Sequence, residues 1–318
     1  MKSLRVEQSR IVRFIAAKSK TIHPPGFQGI SLYEVSKFFW DQIQKTALSE
    51  RAAAISFNFI MAIPPSCLFL FTLIPHLPFV PIATIRDQLH HLITDIIPAK
   101  EYNSNLIQFV DSFLTNQKTG LLSFGFILLL FFASNGMMGL LRSFNKDYLG
   151  FQRRTNLASR WTAIKLTFMV MGLLFACLAL LITHGALLKW LGIKNQFLLQ
   201  IIMIGRWVFI IGLIFSIIGF IYKYAPAVDK RWKFASPGTI LATLLSIVAS
   251  VGFTVFISYF GRYNALYGSI GTIIVLMILI FLNAWSLLIG YELNVSILSL
   301  RIMAEERQKG VAGGAPRA

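Results

Sequence analysis

The chain has 318 residues, 56% of them hydrophobic and 14% charged, and its mean hydropathy is +0.67. A water-soluble core of this length cannot bury that much apolar surface, 28 Phe and 9 Met included, so a soluble globular class is excluded and lipid is the implied solvent. The formal charge of +17 would suit nucleic acid if it formed one patch, but the basic residues fall between apolar runs, where they report orientation.

Residues 1–30 form a basic amino-terminal segment, and no apolar run in the first fifty residues leads to a small-residue cleavage site, so no cleaved signal peptide is expected. Over 31–50, Leu32, Val35, Phe38, Phe39, Ile43 and Ala47 recur every three to four residues, with Lys37, Asp41 and Lys45 on the other face. This pattern predicts an amphipathic helix at the membrane surface. Six apolar spans follow, at about 52–80, 119–141, 163–188, 198–222, 237–260 and 269–299. Each reaches the ~20 residues needed to cross a ~30 Å hydrocarbon core.

Pro64 and Pro65 remove two backbone donors from the first span and predict a bend or break there. Between the first two spans, 81–118 places Ile85, Leu89, Leu92, Ile93 and Ile96 at helical spacing, which predicts short amphipathic helices on the outer surface, divided by Pro98. The fifth span opens with Ser236 as N-cap, Pro237 at the first helical position and Gly238 after it. Tyr263–Gly268 is short enough to demand a tight hairpin, with Asn264 and Gly268 as its turn residues beside Tyr267. Residues 301–318 form a tail, with VAGGAPRA at its end expected to be disordered. The class is all-α integral membrane: a six-helix bundle over 31–300, preceded by an interfacial helix.

Lys and Arg number nine in the first 51 residues, six in 142–165, four in 223–233 and four from Arg301 onward, against three, two and one in the alternate loops 81–118, 189–197 and 261–268. By the positive-inside rule both termini are cytoplasmic, in a bacterial inner membrane. The same residues meet anionic headgroups, so membrane lipids are the expected partners and nucleic acid is not. An oligomer or an envelope protein partner is compatible with this placement. Cys67 and Cys177 lie inside apolar runs, where free Cys is a small packing residue.

Three stretches carry a resemblance: RAAAISFNFIMAIPPSCLFLFTLIP, LLSFGFILLLFFASNGMMGLLRSFNKDYLG, and the run from Tyr222 to Asn294 with its Pro226 to Pro237–Gly238 loop and Gly290–Asn294 segment. In order and content, from about residue 30 to about 300, the chain resembles the YihY/BrkB family of bacterial membrane proteins. The resemblance implies a six-helix inner-membrane protein and no transferable activity. Members have been labelled ribonuclease BN or virulence factors. Asn135–Met138 departs from the family pattern, which would place small hydroxyl and larger apolar residues there.

A metal-dependent ribonuclease needs clustered His and carboxylate ligands, and no such cluster stands on the expected cytoplasmic side, where His23 is the lone histidine. His90 and His91 with Asp87 and Asp95 offer an outer metal site or, more simply, the wet face of a surface helix. Walker A, GxSxG and dinucleotide-binding patterns are absent from the sequence. No enzyme activity, cofactor or resident metal is expected.

Ionisable and amide groups inside the spans are the remaining signal, because each is costly in hydrocarbon. Arg206 cannot be left out of the fourth span; it either snorkels to outer headgroups or faces a cavity. Glu292 lies ~34 Å beyond Ser269 along a helix, near the inner boundary, with Arg142 as a candidate partner. Asn58, Asn135, Asn145, Asn264, Asn283 and Asn294 either join helices or line a cavity. A transporter or lipid-handling protein is the leading expectation, in which Arg206, Arg142, Glu292 and the amides form a polar path for an anionic or amphipathic substrate. A non-transporting envelope scaffold is the alternative.

Overall fold

The computed structural model describes residues 18–73, 76, 86, 87, 89, 90, 104, 107, 108, 110–112, 119–144, 151, 154–190, 196–228, 231–259 and 263–313. At 71, 119, 177–190, 196–204, 206, 258, 259, 263–270, 272 and 309–313 the description is of the backbone alone. Among the described residues seven main helices follow in order: α1 (Leu32–Lys45), α2 (Leu48–Leu73), α3 (Thr119–Phe144), α4 (Asn156–Trp190), α5 (Gln196–Tyr224), α6 (Pro237–Tyr259) and α7 (Tyr263–Gly313). Six of them, α2 to α7, are long and apolar enough to cross a membrane. The chain is an all-α, six-span membrane protein.

Within the amphipathic pattern over 31–50, Leu32–Lys45 fold as α1, while Leu48–Glu50 already open α2. Ser31 caps α1, its hydroxyl accepting from Glu34 N–H at 3.3 Å and donating to the Glu34 carboxylate at 3.1 Å. Val35 is buried, and with Ile30 it packs on Ile297 of α7. One face of α1 is thus covered by the bundle's own last helix.

The prolines do not end α2, which runs unbroken through Pro64 and Pro65. Just beyond them, Ser66 Oγ donates to Ala62 O at 2.6 Å, one turn back along the same helix. Neighbouring α3 supports the same stretch: Gly125 brings the two backbones together beside Phe69, and Gly136 and Gly139 lie against Phe59 and Asn58. Asn58 closes its own bond within α2, Nδ2 donating to Ala54 O at 2.8 Å. Cys67 sits on the exposed side of α2, not in the packing between helices.

Helix α4 begins at Asn156, seven residues before the expected span, and this places Arg160 within the helix. Tyr263–Gly268 is not a hairpin but the opening of α7. Nor does the chain lose structure at Gly310, since α7 continues to Gly313. Good helix formers and an Arg301–Glu305 pair at i,i+4, 2.7 Å apart, sustain the last turns.

The tightest core gathers the basic ends of the helices: Leu48, Ala52 and Ile55 from α2, Leu140, Leu141 and Phe144 from α3, Leu166 from α4, Tyr222 from α5, and Leu288, Tyr291 and Val295 from α7. Phe144 stacks on Tyr291, ring centroids 4.0 Å apart and planes 1° apart. Each buried hydroxyl finds an acceptor: Tyr291 Oη donates to Phe144 O at 2.6 Å and Tyr222 Oη to Leu287 O at 2.5 Å.

The segment 81–118, expected to hold short amphipathic helices, lies largely outside the described residues. Arg86, Asp87, Leu89 and His90 are helical, as are Ser104, Ile107, Gln108 and Val110–Ser112. His90 Nε2 meets Asp111 Oδ1 at 2.8 Å.

Candidate functional site

Helix α7 carries Glu292 into the core, where its side chain is fully buried and lies 2.6 Å from Arg51 Nη1. The partner is Arg51, not Arg142, whose side chain is exposed on α3. The physical reason is rotation: successive helical positions turn by about 100°, so Ser143 and Phe144 face inward while Arg142 faces away. Arg51 Nη2 donates to Ser143 O, so one guanidinium ties α2 to α3 and α7. Arg51 Nε is buried and has no hydrogen-bond partner among the described residues.

The amides are mostly joints. Asn294 Oδ1 accepts from Gly238 N–H at 2.9 Å, and its Nδ2 donates to Ser236 Oγ at 2.8 Å, locking the start of α6 onto α7. Gly238 and Gly290 make this crossing possible: a Cβ on Gly290 would lie 2.6 Å from Ala242 Cβ and 2.7 Å from Tyr222 Oη. Asn283 Nδ2 donates to Ser250 Oγ at 3.2 Å and to Leu279 O at 2.9 Å, joining the same two helices further along. Asn145 lies outside the described residues, as do the side chains of Arg206, Asn264 and Tyr267. His91 and Asp95 are also outside them, and among the described residues no group of three His, Cys, Asp or Glu side chains could hold a metal.

Asn135 is different. Arg160 Nη1 donates to its Oδ1 at 2.5 Å, reaching from α4 to a point nine residues before the end of α3, about 14 Å along the axis. The Arg160 guanidinium carbon also sits 5.6 Å from the centre of the Phe131 ring. A pocket of about 200 Å3 surrounds the pair, lined by Leu130, Phe131, Ser134, Arg160, Ile164 and Thr167. Ser134 and Thr167 spend their hydroxyl protons on Phe131 O and Ala163 O, so Arg160 supplies the charge of the site. A guanidinium has five N–H donors, and among the described residues it gives one to Asn135. Phe131 is 52% exposed, which opens the apolar side of the pocket outward.

Arg51 and Arg160 were not among the residues singled out by sequence. Both were counted as loop charges, and the available signal was helical continuity: each lies within a helical turn or two of an apolar run. Arg154 was passed over likewise. It closes the end of α5, its guanidinium donating to Ala225 O at 2.9 Å and Pro226 O at 3.1 Å. An isolated bridge between Phe151 and Val228 lies beside it.

Residues 39–314 match the family model described as Virulence factor BrkB. The chain is 32% identical over 260 residues to the ribonuclease-like protein YfkH of Bacillus subtilis, covering 80% of this chain and 92% of that one. It is 26% identical over 249 residues to a UPF0761 membrane protein of Chromohalobacter salexigens, covering 76% and 58% of the two chains. A UPF0761 membrane protein of Tolumonas auensis is 36% identical over 77 residues, 24% of this chain and 26% of that one. No solved structure matches. With six helices long and apolar enough to cross a membrane and a family match over most of its length, this chain belongs to the Virulence factor BrkB family of membrane proteins.

Proposed function

We propose that this protein binds anionic amphiphiles at the Arg160 pocket and passes them along or across the bilayer, without enzymatic chemistry of its own. The observation that carries the reading is a guanidinium set about 14 Å in from the end of α3, beside an aromatic face and with donors to spare. Hydrocarbon tolerates such a charge when an anion or a polar cavity answers it. A pocket of about 200 Å3 suits a phosphate-sized headgroup, while Leu130, Phe131 and Ile164 match an acyl chain. The class of ligand is therefore a phospholipid or similar envelope lipid.

Arg206 fits the same scheme as a second station. Its position on α5 is eighteen residues before Tyr224, about 27 Å along the axis, so the two arginines stand at different depths. The excess of Lys and Arg at the ends joined by Arg51, Phe144, Tyr224 and α7 supports an inner-membrane protein with both termini in the cytoplasm.

The test is lipid movement in liposomes reconstituted with the purified protein, using a fluorescent phosphatidylglycerol and a membrane-impermeant quencher. Arg160→Gln should slow exchange about tenfold or more, the scale expected when a charge-assisted contact is lost, and Arg160→Lys should retain part of it. Exchange equal to that of protein-free vesicles would overturn the proposal and favour a scaffold.

A further inference from the structure

A second cavity, of about 740 Å3, opens at the basic end of the bundle, away from the Arg160 pocket. Its walls are the turn Gly26–Ile30, the segment Arg231–Pro237 and the face of α7 from Asn294 to Gln308. The turn is built with positive φ at Gly26 (95°), Gln28 (54°) and Gly29 (86°). Gln28 is held in this left-handed conformation beside Arg301, whose Nη1 donates to its Oε1 at 3.0 Å. A side chain on Gly26 would come within 2.9 Å of Pro237 Cγ, so the turn is seated against the start of α6.

On the opposite wall, exposure alternates: Arg231 and Lys233 are exposed and Trp232 is buried. This is the pattern of extended chain, in which alternate side chains share a side. The Trp232 ring anchors the segment, 5.6 Å from Tyr291 and 6.4 Å from Tyr222. Arg231 and Lys233 consequently project together, with the Arg231 guanidinium 5.4 Å over the Tyr224 ring.

The charge of the cavity is unbalanced. Arg301 is answered by Glu305 at 2.7 Å, whereas no salt bridge among the described residues engages Arg231 or Lys233. Asp229 lies outside the described residues. Arg154, close by, has its affinity for a proton lowered by burial and by the positive charge of Arg231. The amino-terminal end of the 23-residue α6 adds the positive pole of its dipole. Among the described residues, the buried indole N–H of Trp232, a residue of the cavity wall, has no hydrogen-bond partner. Arg231 and Lys233 together call for an anion, and the volume is in the range of small-ligand sites.

We propose that this cavity binds a phosphate-bearing ligand, the phosphate held between Arg231 and Lys233. Arg supplies a planar fork and Lys a point charge, a combination suited to an oxyanion with several acceptor oxygens. The phosphate belongs either to a lipid headgroup reaching in from the adjacent leaflet or to a soluble phosphate compound. The site stands whether or not the Arg160 pocket moves lipid, because its readout is occupancy and not transfer.

The experiment uses the full chain in phosphatidylcholine nanodiscs titrated with inorganic pyrophosphate, followed by indole fluorescence with Trp232→Phe as the blank. In parallel, native mass spectrometry counts phosphatidylglycerol retained by the detergent-purified protein. In at least one arm the Arg231→Gln/Lys233→Gln variant should bind about tenfold more weakly than wild type. Arg231→Lys/Lys233→Arg should bind nearly as well, and so should Lys37→Gln/Lys45→Gln, which removes the same charge from α1. Loss in the lipid arm identifies a headgroup site, and loss in the pyrophosphate arm identifies a site for soluble phosphate. Equal binding by wild type and the glutamine variant in both arms, or an equal loss in the α1 control, overturns the proposal.

Discussion

The Arg51–Glu292 pair sets two formal charges inside a core where Glu292 is fully buried. Removing water from both ions is costly, and good geometry only offsets the cost. Glu292→Ala should therefore destabilise the protein by roughly 3–5 kcal/mol, because Arg51 is left charged without its carboxylate. The double variant Arg51→Met/Glu292→Met should recover most of that loss, since it also disposes of the unpartnered Arg51 Nε. Thermal unfolding in detergent reads both; a double variant as unstable as the single one would contradict this account. The contrast with Arg160 is one of satisfaction: Arg51 meets a carboxylate and a carbonyl, whereas Arg160 meets one amide oxygen.

Between elements, the closest joint is the crossing of α6 and α7 at Gly238, Ala242 and Gly290. A methyl group on Gly290 would face Gly238 O at 2.5 Å, and that backbone atom cannot move independently of α6. Gly290→Ala should cost about 1–3 kcal/mol or more through overpacking. Gly172→Ala and Gly252→Ala, at positions where nothing lies within 4 Å, should be neutral or mildly stabilising, as alanine is the better helix former. Melting temperatures of the three variants decide the matter, and equal losses would show that the crossing is not special. The helices themselves were legible because about 20 apolar residues are required wherever the chain crosses lipid. Their ends were less so: α4 begins before Arg160, which looks like loop when hydropathy alone is followed. The partner of Glu292 was not legible, since several arginines share its depth and only the rotation of each helix selects Arg51.

For the molecule as a whole, the ends of α2, α3, α4, α5 and α7 richest in Lys and Arg converge on one core, so the charge asymmetry in the sequence has a spatial counterpart. A reporter active only in the periplasm, fused after Gly310 or placed before Lys18, should stay inactive, while fusion within 189–197 should activate it. Activity at either terminus would reverse the proposed orientation. The pairing that closes the core also constrains biosynthesis. Arg51 and Glu292 are 241 positions apart, so the ribosome must complete most of the chain before the first spanning helix meets the group that neutralises it. Until α7 inserts, the charge of Arg51 has to be answered by lipid headgroups or water, because the carboxylate that neutralises it in the folded bundle is on the last helix.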